Sequence, residues 1–79
     1  MKIKLKYFGM IADETACNAE SLEVGDGISV AQLNKLVVNR HPGLTQLNYK
    51  IAVNCQLKED DAIITDQSEI ALLPPFAGG

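Results

Sequence analysis

The sequence predicts an α+β fold, one mixed β-sheet with a single main helix packed on one of its faces, and three observations lead there. Apolar residues alternate with period two over 2–8, 21–24 and 49–54, one stretch between them repeats apolar residues at helical spacing, and no second long amphipathic stretch follows. Short turn-rich segments separate these stretches, as they do when strands pair through hairpins.

The opening strand covers residues 2–8, where Ile3, Leu5 and Tyr7 fall on one face and Lys2, Lys4, Lys6 and Phe8 on the other. Gly9 breaks it, a short segment able to hold one helical turn runs to Thr15, and alternation resumes over 21–24 with Leu22 and Val24 inward. Gly25-Asp26-Gly27 makes a turn. Ser29 then stands three residues before Gln32, the spacing of a capping box, and opens a helix over 30–39. Its stripe is Val30, Leu33, Leu36 and Val37, with Gln32, Asn34, Lys35 and Asn39 toward water. Arg40-His41-Pro42-Gly43 ends the helix, because proline disfavours helical geometry in the residue before it. Residues 49–54 alternate again and turn at Asn54-Cys55 into a short strand at 56–57. A polar turn, the pair Ile63-Ile64 and a second turn at 66–68 lead into the last strand, 69–73. That strand is apolar along its length, which suits a central position beside the first strand in a β-grasp arrangement. A ferredoxin-like sandwich needs a second helix that this sequence does not supply.

With 79 residues, 47% of them hydrophobic, the chain reads as one domain over 1–79, with 74–79 an extended, flexible C-terminal tail. A core of this size rarely encloses a deep pocket, so the function is expected to involve a partner rather than catalysis within this chain. Seven basic against ten acidic residues argue against nucleic acid as that partner. The charged and apolar alternation of the N-terminal strand is neither a signal peptide nor a membrane span, so a cytoplasmic protein is expected. Cys17 and Cys55 belong to no C-x-x-C motif and have no basic neighbour to activate them, and a single histidine, His41, leaves metal ligation unsupported. His41 itself reads as a cation near a helix C-terminus or an exposed side chain.

The chemistry-bearing segment is the end of the chain, Ile70-Ala71-Leu72-Leu73-Pro74-Pro75-Phe76-Ala77-Gly78-Gly79. If Ile70 and Leu72 face the core, Ala71 and Leu73 face outward, where Leu73 can join Phe8 in a surface patch for a partner. Pro74 and Pro75 cannot donate to a sheet and favour an extended chain, and six residues beyond the strand reach up to about 20 Å. Gly78 and Gly79 can thread a passage too narrow for side chains. The C-terminal carboxylate of Gly79 is thereby presented as a handle: a poor electrophile in itself, it becomes reactive once adenylated.

In Glu69-Ile70-Ala71-Leu72-Leu73-Pro74-Pro75-Phe76-Ala77-Gly78-Gly79, in the opening strand ending Tyr7-Phe8 and in Ala52-Val53-Asn54, the chain resembles the MoaD-like small subunits of molybdopterin synthase, within the ubiquitin-like β-grasp sulfur carriers. The resemblance covers nearly the whole chain. It implies that Gly79 is the catalytic position: adenylated by a ubiquitin-activating-like adenylyltransferase that consumes ATP, converted to a thiocarboxylate, and inserted into the large subunit's active site to give its sulfur to cyclic pyranopterin monophosphate. It further implies a heterotetramer with the large subunit, Pro74, Pro75, Phe76, Ala77 and Gly78 as the inserted tail, Phe8 and Leu73 at the interface, and no cofactor or metal bound by this chain. Leu72-Leu73 stands where the family commonly has an aromatic pair, and Asp66-Gln67-Ser68-Glu69 where it has Asp-Gly-Asp-Glu.

Three other readings stay open on the sequence. A carrier of another pathway, serving thiamine synthesis or tRNA thiolation, or a protein-modifying relative, shares the terminal Gly-Gly. A non-catalytic interaction module would use the same surface without chemistry at its end. A thiol enzyme would use Cys17 or Cys55.

Overall fold

The computed structural model describes residues 1–65 and 68–75. In chain order it contains β1 (Lys2–Tyr7), α1 (Met10–Thr15), β2 (Ala19–Glu23), α2 (Val30–Arg40), a 3-10 turn (Pro42–Gln46), β3 (Lys50–Val53), β4 (Gln56–Leu57) and β5 (Glu69–Leu73). The five strands form one sheet in the order β2-β1-β5-β3-β4. β1 runs antiparallel to β2 and parallel to β5, with Leu5 opposite Ile70 and Tyr7 opposite Leu72. β3 runs antiparallel to both β5 and β4. The last strand is therefore central beside the first, as its apolar character on both faces predicts.

Alternation in the sequence becomes sidedness in the sheet. Ile3, Leu5 and Tyr7 of β1 and Ile70 and Leu72 of β5 are buried against Val30, Leu33 and Val37 of α2. Each such side chain withdrawn from water contributes roughly 1.5–3 kcal/mol, which is what fixes the register.

The N-terminus of α2 leaves none of its first N–H groups unpaired. Ser29 Oγ accepts from the Gln32 backbone N–H at 3.2 Å, and Gln32 Oε1 accepts from the Ser29 N–H at 2.9 Å, completing the expected capping box. The N–H groups of Val30 and Ala31 donate to the carbonyls of Ala62 (2.9 Å) and Asp60 (3.0 Å). The segment 60–64 thus crosses the helix start as a strap and is held there by Ile64 N–H donating to Ile28 O at 2.8 Å. At the other end the His41 N–H donates to Val37 O, and Pro42 stops the helix.

Several expectations need correction. Leu36 is 38% exposed, because at 3.6 residues per turn it lies about 90° around α2 from the centre of the stripe formed by Val30, Leu33 and Val37. Asn34, expected to face water, is half-buried and accepts a hydrogen bond from the Tyr49 hydroxyl. β2 begins at Ala19 rather than residue 21, and buried Val24 lies just past its end. Of the pair Ile63-Ile64 only Ile64 enters the core, since the strap presents alternate residues inward. The 3-10 turn was not foreseen; it places Leu44 fully within the core. The turn residues Asp66 and Gln67 lie outside the described residues.

Candidate functional site

Among the described residues no helix covers the face of the sheet opposite α2. The strand registers put Lys2, Lys4 and Lys6 of β1, Glu69, Ala71 and Leu73 of β5, Lys50 and Ala52 of β3, and Leu57 of β4 on it. Phe8 continues the outward parity of β1 one residue beyond its end, level with Leu73 of the neighbouring strand. Phe8, Leu57 and Leu73 with Ala52 and Ala71 line an open groove of about 390 Å³ on this face, edged by Lys6, Glu69 and Cys55. Phe8 is 43% and Leu57 57% exposed, so this is apolar surface presented to solvent rather than the mouth of a cavity. Ala52, although on this face, is buried, being small and closed in by its larger neighbours.

Lys6 Nζ lies 3.1 Å from Glu69 Oε1 across the β1–β5 pair, an exposed ion pair that contributes little to stability but defines one edge of the groove. A larger groove, about 580 Å³, runs between α2 and β3 and includes Asn34, Tyr49 and Lys58. It takes in Lys50 and Ile51, opposite Leu73 and Leu72, but it is lined mainly by polar groups and includes neither Phe8 nor Leu73, so the open face is the better candidate.

β5 leads from the sheet centre toward the chain's C-terminus. Leu73 is half-buried beside Phe8, Pro74 is half-buried and Pro75 is exposed. Pro74 rests on Gly9: a Cβ on Gly9 would meet Pro74 Cγ at 3.3 Å, and Gly9 has φ 58° and ψ −132°, a backbone geometry open to glycine. Phe76, Ala77, Gly78 and Gly79, the remaining tail positions expected from sequence, lie outside the described residues. The structure thus brings Phe8, Leu73 and Pro74 together.

A second polar cluster lies on the helix side of the sheet, and sequence reasoning did not find it. Glu20 of β2 accepts from Arg40 Nε at 2.8 Å and pairs with His41 Nε2 at 2.9 Å, while the Cys17 thiol donates to it at 3.5 Å. Burial pushes the Glu20 carboxyl up, but the hydrogen bonds from His41, Cys17 and Arg40 outweigh it and hold the group below its ordinary value. The Tyr7 ring packs edge-on to His41 at 5.8 Å between centroids. Its hydroxyl is buried with no hydrogen-bond partner among the described residues, and burial, then the nearby Glu20 charge, raises its pKa. His41 is accordingly a structural clasp between the end of α2 and β2. The only sequence signal for it was an Arg-His pair at a helix C-terminus, which does not name its partner twenty residues upstream. Both cysteines are free, Cys17 half-buried in this cluster and Cys55 exposed at the groove on the opposite face. Among the described residues no three His, Cys, Asp or Glu side chains converge as metal ligands, and no helix is long and apolar enough to cross a membrane.

A β-grasp sheet whose central strand runs out beside an exposed apolar groove is the setting in which the whole-chain comparisons fall. The model of the ThiS family matches residues 5–79. The chain belongs to the ThiS family. It is 31% identical over 83 aligned positions to the human molybdopterin synthase sulfur carrier subunit, covering 99% of this chain and 94% of that protein. It is 29% identical to the subunit of the same name from Chlamydomonas reinhardtii, with both chains fully covered. Among solved structures, the putative molybdopterin converting factor subunit 1 from Pyrococcus furiosus superposes with a TM-score of 0.91 at 23% identity, covering 96% of this chain and 99% of that one. Small archaeal modifier protein 1 of Haloferax volcanii gives 0.86 at 18% identity, covering 95% and 98%. A chain in the complex of subunits 1 and 2 of molybdopterin-converting factor from Helicobacter pylori gives 0.70 at 22%, covering both chains fully. The ThiS-family fold is thus the ubiquitin-like β-grasp that the strand pattern predicts, and the chain is MoaD-like in sequence.

Proposed function

We propose that this protein is the sulfur-carrying subunit of a cytoplasmic molybdopterin synthase, with the carboxylate of Gly79 as its working group. The observation that carries the reading is the full-length match to two sulfur carrier subunits of that enzyme in a chain whose sequence ends Pro-Pro-Phe-Ala-Gly-Gly. The groove beside the end of β5 adds to it, because it gives a partner an apolar surface to hold next to the strand that leads to the tail.

The chemistry proceeds in three steps. A carboxylate oxygen of Gly79 attacks the α-phosphorus of ATP in an adenylyltransferase, pyrophosphate leaves, and the carbonyl carbon becomes electrophilic as an acyl-adenylate. A sulfide-level donor attacks that carbon and AMP leaves, giving a thiocarboxylate. In the large subunit the sulfur is transferred to cyclic pyranopterin monophosphate toward the dithiolene, and water restores the carboxylate. This chain supplies the acyl group and its delivery and binds no cofactor; ATP is consumed by the activating enzyme. Pro74 to Gly78 form the inserted tail, Phe8 and Leu73 contact the large subunit, and two copies of each subunit form the heterotetramer.

Incubation with ATP, the cognate adenylyltransferase and a sulfide donor tests the reading by intact mass. The expected result is a gain equal to replacing one oxygen by sulfur, located in the C-terminal fragment and absent when Gly79 is deleted. No gain with an adenylyltransferase active on another carrier overturns it.

The likeness to small archaeal modifier protein 1 favours a second reading, in which the activated Gly79 serves another thiolation pathway or is joined to protein amines. Supplying the thiocarboxylate form to the large subunit with cyclic pyranopterin monophosphate separates the two, since only the first predicts molybdopterin.

A further inference from the structure

The open sheet face differs in charge from the rest of the molecule. Four of the seven basic residues, Lys2, Lys4, Lys6 and Lys50, project from its strands, and the same face carries Glu23 and Glu69, a surplus of positive charge in a chain whose net charge is −3. Among the described residues only Lys6 of these four lysines is in an ion pair, with Glu69. Lys2, Lys4 and Lys50 are exposed. Lys50 stands opposite Leu73 across the β3–β5 pair. Lys2 and Lys4 border a separate shallow depression of about 250 Å³, which also includes Ser21 and Ser68 and shares Glu69 with the apolar groove.

We propose that this face is built for a protein surface with an apolar centre flanked by carboxylates: the centre seats against Phe8, Leu57 and Leu73, and the carboxylates meet Lys2 and Lys4 on one side and Lys50 on the other. The inference rests on the sulfur-carrier reading, which makes the large subunit the occupant. The charges at the edge of the apolar groove, Lys6 and Glu69, pair with each other, while Lys2, Lys4 and Lys50, in no ion pair among the described residues, stand beyond it and attract a partner of opposite sign from a distance. Away from this face acidic residues outnumber basic ones, so the surplus also biases the approach of an acidic partner toward it.

The test is the association of the purified protein with the large subunit from the same organism, followed by stopped-flow at low and high salt. The wild-type on-rate is expected to fall by about tenfold between 50 and 500 mM NaCl. In Lys2→Gln/Lys4→Gln/Lys50→Gln it should start about tenfold lower and depend little on salt, with the off-rate changed less than about threefold. The exchanged side chains are exposed, so an unchanged thermal transition checks the fold. A wild-type on-rate that is flat with salt and equal to the variant's overturns the charge assignment while leaving the carrier reading intact. Absence of any wild-type complex overturns both. Capture of a single-stranded oligonucleotide that is lost in the variant reassigns the lysines to a polyanion and overturns the proposal.

Discussion

Pro74 packs against the bare Cα of Gly9, with its Cγ 3.3 Å from where a Cβ would stand. Gly9 is the residue after Phe8 and Pro74 the residue after Leu73, so the two groove side chains and the seat of the tail are fixed by one pair of neighbouring chain segments. Gly9→Ala adds an atom at that contact and forces a side chain into φ 58°, ψ −132°. It should lower stability by about 1–3 kcal/mol, read from urea denaturation, and shift the NMR signals of Leu73 and Pro74 more than those of β2.

Two adjacent leucines should separate folding from docking. Leu72 is fully buried and Leu73 faces the groove. Leu72→Ala should cost about 2–5 kcal/mol by the loss of packed volume. Leu73→Asp, at a half-buried position, should cost about 1–2 kcal/mol, less than Leu72→Ala, while weakening large-subunit binding by tenfold or more, measured by calorimetric titration. Equal binding by Leu73→Asp and wild type would remove the groove from the interface.

The clasp around Glu20 predicts an acid-sensitive component of stability. Its carboxyl is held below the ordinary 4.5 in the folded chain, so its contribution is complete above that value and fades as pH falls through the folded one. The urea midpoint of the wild type should drop between about pH 5 and pH 3 by more than that of Glu20→Gln, the two curves converging at the acid end. Near neutral pH the variant should be less stable by about 1 kcal/mol, a small figure because Arg40 remains half-exposed.

Ser29 closes the start of α2, and its replacement tests the cap against the strap. Ser29→Ala should cost about 1 kcal/mol, with hydrogen exchange faster at the Gln32 amide and unchanged at the Val30 and Ala31 amides, whose acceptors are Ala62 and Asp60.

Part of the fold was legible in the sequence: β1 and α2 with its cap stand where alternation and capping put them, the turn at Asn54-Cys55 stands where its residue types put it, and β5 stands where an apolar run before two prolines put it. So was the meeting of Phe8 with Leu73, because parity along two strands and a guess at their adjacency suffice to place both. The misses share a different cause. Glu20 finds Arg40 and His41, and the carbonyls of Asp60 and Ala62 find the start of α2, through contacts between segments twenty or thirty residues apart that no local pattern encodes. Leu36 was misplaced because a short stripe on a helix leaves its angular centre poorly defined until the sheet beneath it is known.

β1 and β3 do not pair with one another; each is joined to the sheet through β5. Without the strand that ends at Leu73, β2-β1 and β3-β4 are two ribbons with no seam between them. A ribosome that stalls before residue 69, or a protease that removes the strand, therefore leaves a chain that cannot close its core. Foldedness becomes a certificate that the strand leading to the tail is in place, and cellular proteolysis of unfolded chains would clear defective copies before they occupy a partner.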